Sequence, residues 1–285
     1  MNIFQKLRNL IEEPPPAFAF EIGPVGIAHW QASASSTGTR FESIPDLAVD
    51  ADLLGAHLRQ IAPPANGNRR RPATVILPDR AARVTLMDFD TFPRKAEEQM
   101  SLIRFRLKRT VPFDVDTAIL RYQARSLGGS KVDLTVAAVA VETIAPYEAA
   151  FRNAGFQPGY ITVAALSAAN LAAPNTVTLR LNGPTLTLSH FEGTELALYR
   201  CLELQTGTLD EVLNVLEPTL AYLEDERKLK PTRIDLCGLG AMAADLDRHI
   251  TENWGVPTQP LRSRLGAVEA TNAGLLGYLE AAGVN

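Results

Sequence analysis

The chain has 285 residues, of which 46% are hydrophobic and 21% are charged. This composition excludes disorder, collagen-like repeats and a coiled coil as descriptions of the whole chain, and the length corresponds to about two domains. No apolar run approaches the ~20 residues that a membrane-spanning helix needs. The formal net charge of -4 does not support bulk nucleic-acid binding.

Residues 1–13 predict a short amphipathic helix and not a signal peptide, because no apolar core and no small-residue cleavage site are present. The prolines at 14–16 then form a stiff break. The helix either packs on its own domain or touches a membrane surface or a partner. Its apolar positions recur at helical spacing: Ile3, Phe4, Leu7, Leu10 and Ile11.

The next part of the chain predicts a compact α/β unit that ends in a buried strand. Its apolar segments and turn residues predict strands at 17–22, 27–32 and 39–44, a helix at 50–61 and a strand at 73–77.

The middle segment follows a different pattern. A strand is predicted at 83–89, a helix that opens at Phe92-Pro93, two strands at 117–124 and 131–141, and a helix at 144–153. One more strand at 159–163 and one more helix at 164–171 follow. In the first of these helices, apolar residues recur at steps of four, three and four residues, which predicts one buried face. They are Ala96, Met100, Ile103 and Leu107.

The first pattern then returns. Strands are predicted at 176–181, 185–191, 195–202 and 232–237, with a helix at 209–227 before the last of them. Three strands, a helix and a buried strand thus occur twice, which indicates a duplicated lobe. A cleft between two lobes is a common ligand site. A helix over 264–283 is predicted to close the chain.

Common catalytic and metal-binding motifs are missing from the sequence. It contains no Cys-x-x-Cys, no His-Glu-x-x-His, no Gly-x-Ser-x-Gly and no Walker loop. The two cysteines, Cys201 and Cys237, lie in apolar stretches and are predicted to be buried free thiols in a reducing cytoplasm. We therefore predict no catalytic residue and no metal ligand. The four histidines are expected to be structural or surface residues: His29, His57, His190 and His249.

Two glycine-containing turns are candidate phosphate-binding elements. The first hairpin carries Glu21, Gly23 and Gly26, whose amides could hold a phosphate while the acid holds a magnesium-bound water. Gly238 and Gly240 lie between a strand and the start of a helix, where amides and the helix dipole favour an anion. The alternative interpretation is that both are ordinary tight turns.

Several ordered motifs resemble the PilM family of type IV pilus assembly proteins. The similarity extends over most of residues 17–283, and the order and spacing of the motifs carry it. The motifs are TVILP at 74–78, Phe92-Pro93, Val111-Pro112-Phe113, ILRYQ at 119–123, AAFRNAGFQP at 149–158 and IDLCGLGA at 234–241.

The resemblance implies an actin-like fold of the FtsA type, a duplicated two-lobed ribonuclease-H-like α/β architecture. It implies a first lobe at 17–174, a second lobe at 175–263 and a C-terminal helix at 264–285 that returns to the first lobe. A small α+β insert subdomain is expected in the first lobe, at about 82–142. Members of the family bind ATP, so the resemblance implies ATP and magnesium as candidate ligands, although the departures described next favour a chain without a cofactor.

The first phosphate hairpin departs from the family pattern. Glu21 stands where the family has aspartate, Pro24, Val25 and Gly26 replace serines, and Ala28 replaces a lysine. In the second hairpin, Arg180 takes the place of the family's second carboxylate. Proline has no amide to offer a phosphate, and an arginine would repel magnesium. We therefore expect a degenerate nucleotide site without efficient ATP hydrolysis.

The resemblance also implies a partner, the cytoplasmic N-terminal tail of a PilN-like membrane protein with one span. In the family this tail lies in a groove between the insert and the first lobe, and an extended segment would use main-chain bonds and apolar pockets there. The candidate contact residues, which could equally be core residues, are Phe92, Ile103, Phe105, Phe113 and Tyr122.

These expectations lead to one main hypothesis and two alternatives. The main one is a cytoplasmic scaffold, peripheral to the inner membrane, in a type IV pilus or related secretion machine, with other platform proteins as further partners. The first alternative is a weak ATPase whose nucleotide state switches partner binding. The second is a filament-forming protein of the FtsA type.

Overall fold

The computed structural model describes residues 16–32, 38–44, 47, 51–63, 69–128, 130–193 and 195–284. The helix predicted at 1–13 lies outside these residues. The chain divides into two compact units, one of Met1–Asp79 with Ala150–Asn285 and one of Arg80–Ala149. Among the described residues, no helix is both long and apolar enough to span a bilayer.

The predicted strands are present, most of them with shifts of one to three residues at their ends. The strands are β1 (Phe18–Gly23), β2 (Gly26–Gln31), β3 (Arg40–Ser43), β4 (Arg71–Leu77), β5 (Arg83–Phe89), β6 (Ile119–Gly128), β7 (Lys131–Val139), β8 (Phe156–Val163), β9 (Thr176–Asn182), β10 (Thr185–Glu192), β11 (Glu195–Glu203), β12 (Arg233–Cys237) and β13 (Thr258–Pro260). The last of these was not predicted.

The helices alternate with groups of these strands, and the last helix follows β13. They are α1 (Ala51–Ile61), α2 (Ala96–Leu107), α3 (Val141–Asn153), α4 (Ala164–Ala168), α5 (Leu209–Asp225), α6 (Ala243–Trp254) and α7 (Ala273–Ala281).

The larger unit contains two sheets with the same topology. One has the strand order β3-β2-β1-β4-β8 and the other β11-β10-β9-β12-β13. In each sheet the first strand pairs antiparallel with the next one along the chain, and parallel with the strand that follows the helix. This match confirms the duplication predicted from the sequence. The carboxyl ends of β1 and β4 lie side by side, which places residues that follow them at one edge of the sheet.

Each lobe has an apolar core of its own. In the first lobe the ring centroids of Phe20 and Phe156 lie 5.1 Å apart in an edge-to-face arrangement, which is a favourable geometry for aromatic pairs. In the second lobe α5 buries Val212, Leu216 and Leu220 against the sheet. These core residues fix the positions of the strands that carry the polar residues described below.

The smaller unit is a three-stranded antiparallel sheet of order β5-β7-β6 with α2 packed on it through Ile103 and Leu107. The helix begins at Ala96 and not at Phe92-Pro93 as predicted. A residue before proline is disfavoured in the helical conformation. Phe92 instead packs on the rest of the unit, with its ring 5.5 Å from that of Phe89.

The prediction of one long C-terminal helix is wrong at its start. Helix α7 begins only at Ala273, and Ser263 and Gly266 form an isolated bridge before it. The side chain of Asn272 accepts a hydrogen bond from the amide of Glu269 at 2.8 Å. Asparagine side chains that bond to nearby backbone groups in this way favour helix starts over helix interiors.

Helix α7 packs closely on α4, within the larger unit. A β-carbon at Gly277 would lie 2.1 Å from the carbonyl oxygen of Ser167, and one at Gly274 would lie 2.9 Å from the α-carbon of Ala164. Glycine is therefore required at both positions for the two backbones to approach. Leu275 and Leu279 of α7 are buried with Trp30 of the first sheet, so the last helix of the chain completes the core of the first lobe.

Candidate functional site

Arg180 of strand β9 is the largest fully buried side chain among the described residues. Its Nη1 donates to Oδ2 of Asp79 at 2.6 Å, and its Nη2 donates to Oε1 of Glu21 at 2.7 Å. Nη2 also donates to the carbonyl oxygen of Ala270 at 2.6 Å. We call these four residues the Arg180 cluster. It joins the second lobe to two points of the first lobe and to the segment before α7.

Both carboxylates of the cluster also cap a helix. Oδ1 of Asp79 accepts from the amide of Ala165 at 2.5 Å, in the first turn of α4. Oε2 of Glu21 accepts from the amide of Leu275 at 2.8 Å, in the first turn of α7. The first amides of a helix lack partners within the helix and carry a partial positive charge. The two carboxylates therefore satisfy these amides as well as the guanidinium.

The cluster holds two acids and one base in an environment away from water. Burial raises the pKa of Glu21 to about 7, although Arg180 and the amide of Leu275 favour its charged form. Burial also raises the pKa of Asp79. Burial alone would lower the pKa of Arg180, but Asp79 and Glu21 outweigh it and raise that pKa. The guanidinium therefore stays charged.

The two hairpins that flank the cluster contact each other directly. A β-carbon at Gly183, in the turn between β9 and β10, would lie 3.0 Å from Cγ of Pro24 in the turn between β1 and β2. One at Gly23 would lie 3.8 Å from Nδ2 of Asn182. The tips of the hairpins are therefore in van der Waals contact.

The five predicted nucleotide-binding residues do not all lie together in the structure. Glu21 is in the Arg180 cluster, and Gly23 is at the hairpin contact. Gly26 lies under the edge strand, where a β-carbon would be 2.2 Å from the carbonyl oxygen of Glu42. Gly238, at φ 78°, lies beside the cluster, since its β-carbon would be 2.7 Å from Cβ of Ala270. Gly240 has no neighbouring atom within 4 Å of that position and stands apart from the others.

These residues do not fit a magnesium-bound nucleotide at this point. Magnesium takes carboxylate and phosphate oxygens, and here each oxygen of Glu21 and Asp79 already accepts a hydrogen bond from Arg180 or from a helix amide. A cation is already present as the guanidinium, and Pro24 offers no amide to a phosphate. Elsewhere in the described ranges, no group of three or more His, Cys, Asp or Glu side chains could hold a metal ion.

Sequence reasoning missed Asp79 as a member of this site. The signal was available, because Asp79 follows the buried strand β4 and the pair Leu77-Pro78. Since the carboxyl ends of parallel strands meet at one sheet edge, an acid after β4 lies near an acid at the end of β1. The contribution of Ala270 has no comparable signal, because a backbone carbonyl can come from any residue type.

The five predicted partner-binding residues lie in the smaller unit and differ in exposure. Phe92, Phe113 and Tyr122 are half-buried against its core, and the Tyr122 hydroxyl donates to Oε1 of Gln99. Ile103 is completely buried, so a partner cannot reach its side chain. Phe105 is 68% exposed, and it is the one member of the set that presents its ring to solvent.

The surface around Phe105 on helix α2 is basic. The Arg106 guanidinium lies 4.9 Å from the centroid of the Phe89 ring, and Lys108 pairs with Asp116 at 2.7 Å. Arg104 donates to the carbonyl oxygens of Val115 and Ala118. These contacts fix the neighbours of Phe105 along the smaller unit and leave its own ring uncovered.

The sequence matches no protein-family model and no curated protein. Three solved structures are similar in fold. A chain of a PilM–PilN type IV pilus biogenesis complex has a TM-score of 0.74 at 18% identity, over 95% of this chain and 99% of that chain. The cytoplasmic domain of EpsL, an inner membrane component of the type II secretion system of Vibrio cholerae, has a TM-score of 0.55 at 11% identity, over 92% and 94%.

The third similar structure is a protein of Bacteroides thetaiotaomicron with an actin-like ATPase fold. It has a TM-score of 0.53 at 11% identity, over 90% of this chain and 93% of that chain. Together, the three similarities confirm the PilM-like, actin-like fold that the sequence motifs predicted.

Proposed function

We propose that this chain is a cytoplasmic scaffold of a type IV pilus or related secretion machine. It binds the cytoplasmic N-terminal tail of a PilN-like membrane protein at the inner membrane and does not hydrolyse ATP efficiently. The observation that carries the proposal is the similarity in fold to a chain of a PilM–PilN complex over nearly the whole of both chains. The similarity to the EpsL cytoplasmic domain supports the wider class of inner-membrane assembly platforms.

The Arg180 cluster supports a scaffold over an ATPase. Efficient hydrolysis requires a cation and polar groups that stabilise charge on the transferring phosphoryl group. In this chain the carboxylates that would hold such a cation are bound to Arg180, and the hairpins beside them touch through Pro24 and Gly183. A scaffold needs none of this chemistry, because it needs only a stable body and an exposed contact surface.

We propose that Phe105 of the smaller unit contacts the partner. A 68% exposed phenylalanine is an apolar anchor that a partner can cover, and buried aromatic anchors supply much of the binding energy at interfaces. We assign Phe92, Phe113 and Tyr122 a structural role, because they already pack on the core of the unit.

Calorimetry tests both parts of the proposal. The purified chain is titrated with a peptide that corresponds to the N-terminal cytoplasmic tail of the PilN-like protein encoded in the same genome, and separately with ATP and magnesium. We expect heat of binding from the peptide and none from ATP. An absence of peptide binding would contradict the partner assignment, and binding of ATP would favour the ATP-switched alternative.

A pair of variants locates the contact. Phe105→Ala is expected to weaken peptide binding by roughly tenfold or more, the effect of removing an aromatic anchor. The matched control is Tyr222→Ala, which removes an exposed aromatic ring from α5 of the larger unit and should leave the affinity unchanged. Equal affinities of the two variants would remove Phe105 from the interface without affecting the rest of the proposal.

A further inference from the structure

Arg180 is bound in the way that a metal ion would be bound. Its guanidinium is surrounded by Oε1 of Glu21, Oδ2 of Asp79 and the carbonyl oxygen of Ala270, all within 2.6–2.7 Å of its terminal nitrogens. Two carboxylates and a carbonyl are the oxygen ligands that a hard divalent cation takes in proteins. Here a covalently attached cation satisfies them.

A guanidinium differs from a metal ion in that it cannot leave. Arginine remains protonated in proteins and presents its donors in a rigid planar fork. Nη1 donates to Asp79 and Nη2 donates to Glu21. Both acceptors belong to the first lobe, whereas Arg180 belongs to β9 of the second lobe. The bridge therefore needs no bound ligand to join the two lobes.

We propose that Arg180 is a built-in replacement for a bound cation, which holds the two lobes of the larger unit permanently closed without metal or nucleotide. The inference does not depend on the partner proposed above, because it concerns the closure of the lobes alone.

Two further contacts support closure without a ligand. The amides of Ala165 and Leu275, in the first turns of α4 and α7, are already satisfied by the carboxylates of Asp79 and Glu21. The hairpins of the two lobes also meet at Pro24 and Gly183. The remaining carboxylate oxygens and the hairpin tips are thus already in contact with the protein itself.

Chemical rescue tests the role of the guanidinium. Arg180→Ala leaves Glu21 and Asp79 buried without their counter-ion, and we expect its melting midpoint to fall by roughly 10 °C. Millimolar methylguanidinium should restore part of this loss by occupying the vacated position, and millimolar MgCl₂ is tested in parallel as a cation of the replaced class. The exposed ion-pair variant Arg248→Ala should show neither the loss nor the rescue.

The triple variant Arg180→Ala, Glu21→Gln, Asp79→Asn separates rescue at the cluster from a general effect of the additive. It should show no methylguanidinium effect, because the negative oxygens are gone. If Arg180→Ala does not fold, Arg180→Lys takes its place, since it keeps the charge and loses the fork, and it should melt below the wild type. A midpoint of Arg180→Ala or Arg180→Lys equal to that of the wild type would overturn the proposal.

Hydrogen exchange tests the closed state itself. The amides of Ala165 and Leu275 donate to the two carboxylates, so their exchange rates report on opening at the cluster. In the wild type we expect slow exchange that does not change with ATP and magnesium. In Arg180→Ala we expect faster exchange that slows again with methylguanidinium. Slower exchange of the wild-type amides on addition of ATP and magnesium would overturn the proposal, because closure would then depend on the ligand.

Discussion

The guanidinium of Arg180 and the carboxylate of Glu21 meet at 2.7 Å although 159 positions separate them in the sequence. A buried ion pair of this kind costs desolvation of both partners, so its removal as a whole is far less harmful than the removal of one partner. Asp79 gives the guanidinium a second carboxylate. Stability at this site therefore depends on which of the three charges is removed.

The first prediction concerns these charges. Arg180→Met should lower the free energy of unfolding by about 3–5 kcal/mol, because two carboxylates remain buried without a counter-ion. Glu21→Gln should cost less, since Arg180 and Asp79 still neutralise each other. The triple variant with Arg180→Met, Glu21→Gln and Asp79→Asn should recover most of the loss. Urea denaturation measures all three, and a triple variant less stable than Arg180→Met would contradict the argument.

The second prediction concerns pH. Burial raises the pKa of Glu21 from 4.5 to about 7, so the folded state holds this proton at pH values where the unfolded chain has released it. The resulting stabilisation is complete below pH 4.5 and is lost as the pH rises through about 7. Between about pH 5 and about pH 8, the urea midpoint of the wild type should therefore fall relative to that of Glu21→Gln, which cannot titrate at this position. A wild-type midpoint that rises with pH relative to that of Glu21→Gln would mean that folding lowers the pKa of Glu21.

The third prediction concerns the contact between α7 and α4. Gly277→Ala should lower the free energy of unfolding by about 1–3 kcal/mol, because the added β-carbon would lie 2.1 Å from the carbonyl oxygen of Ser167. Gly159→Ala is the control, since no atom lies within 4 Å of a β-carbon there. Thermal denaturation compares the two. Equal midpoints would mean that α7 can shift away from α4 without loss.

The fourth prediction concerns the loop before α5. Oε2 of Glu211 accepts from the amides of Thr206 and Gly207, both at 2.8 Å, and Oε1 accepts from that of Gln205 at 3.0 Å. These bonds, that from Thr206 foremost, lower the pKa of Glu211 to about 2. The stabilisation is present above the ordinary pKa of 4.5 and is lost as the pH falls through about 2.

Glu211→Gln should therefore melt at a lower temperature than the wild type at neutral pH, and the two midpoints should converge as the pH approaches 2, the approximate folded-state pKa. Glu224→Gln, an exposed change on the same helix, should melt with the wild type throughout. A gap between wild type and Glu211→Gln that persists in acid would assign the loss to packing and not to the charge.

Local patterns were sufficient for most of the fold. Alternating and helical apolar spacing depends only on neighbouring residues, so the strands around Glu21 and Arg180 and the helix with Ile103 and Leu107 were predicted from the sequence. The repeated order of elements also predicted a duplicated lobe, and the two sheets of the larger unit have the same topology. The start of α7 was missed because Asn272 competes for backbone bonds through contacts with residues up to five positions away.

The site was predicted only in part. From the sequence, Arg180 was interpreted as an arginine in place of a carboxylate in a degenerate nucleotide site, and Asp79 was given no role. The exposure of residues along α2 was predicted only in part, because the helical spacing placed Ile103 on the buried face while Ile103 and Phe105 were both candidate contact residues. The packing of the smaller unit buries the first and leaves the second exposed.

The sequence by itself determined the order of the elements, their duplication and the residue types at each strand end, since these follow from local spacing and from motifs. Only the tertiary structure decided that Arg180, Glu21 and Asp79 form one buried cluster with the carbonyl of Ala270. The physical reason is that a charge can be buried only where opposite charges and donors converge on it. Such convergence arises from strands and helices brought together from 90 to 159 positions apart along the chain.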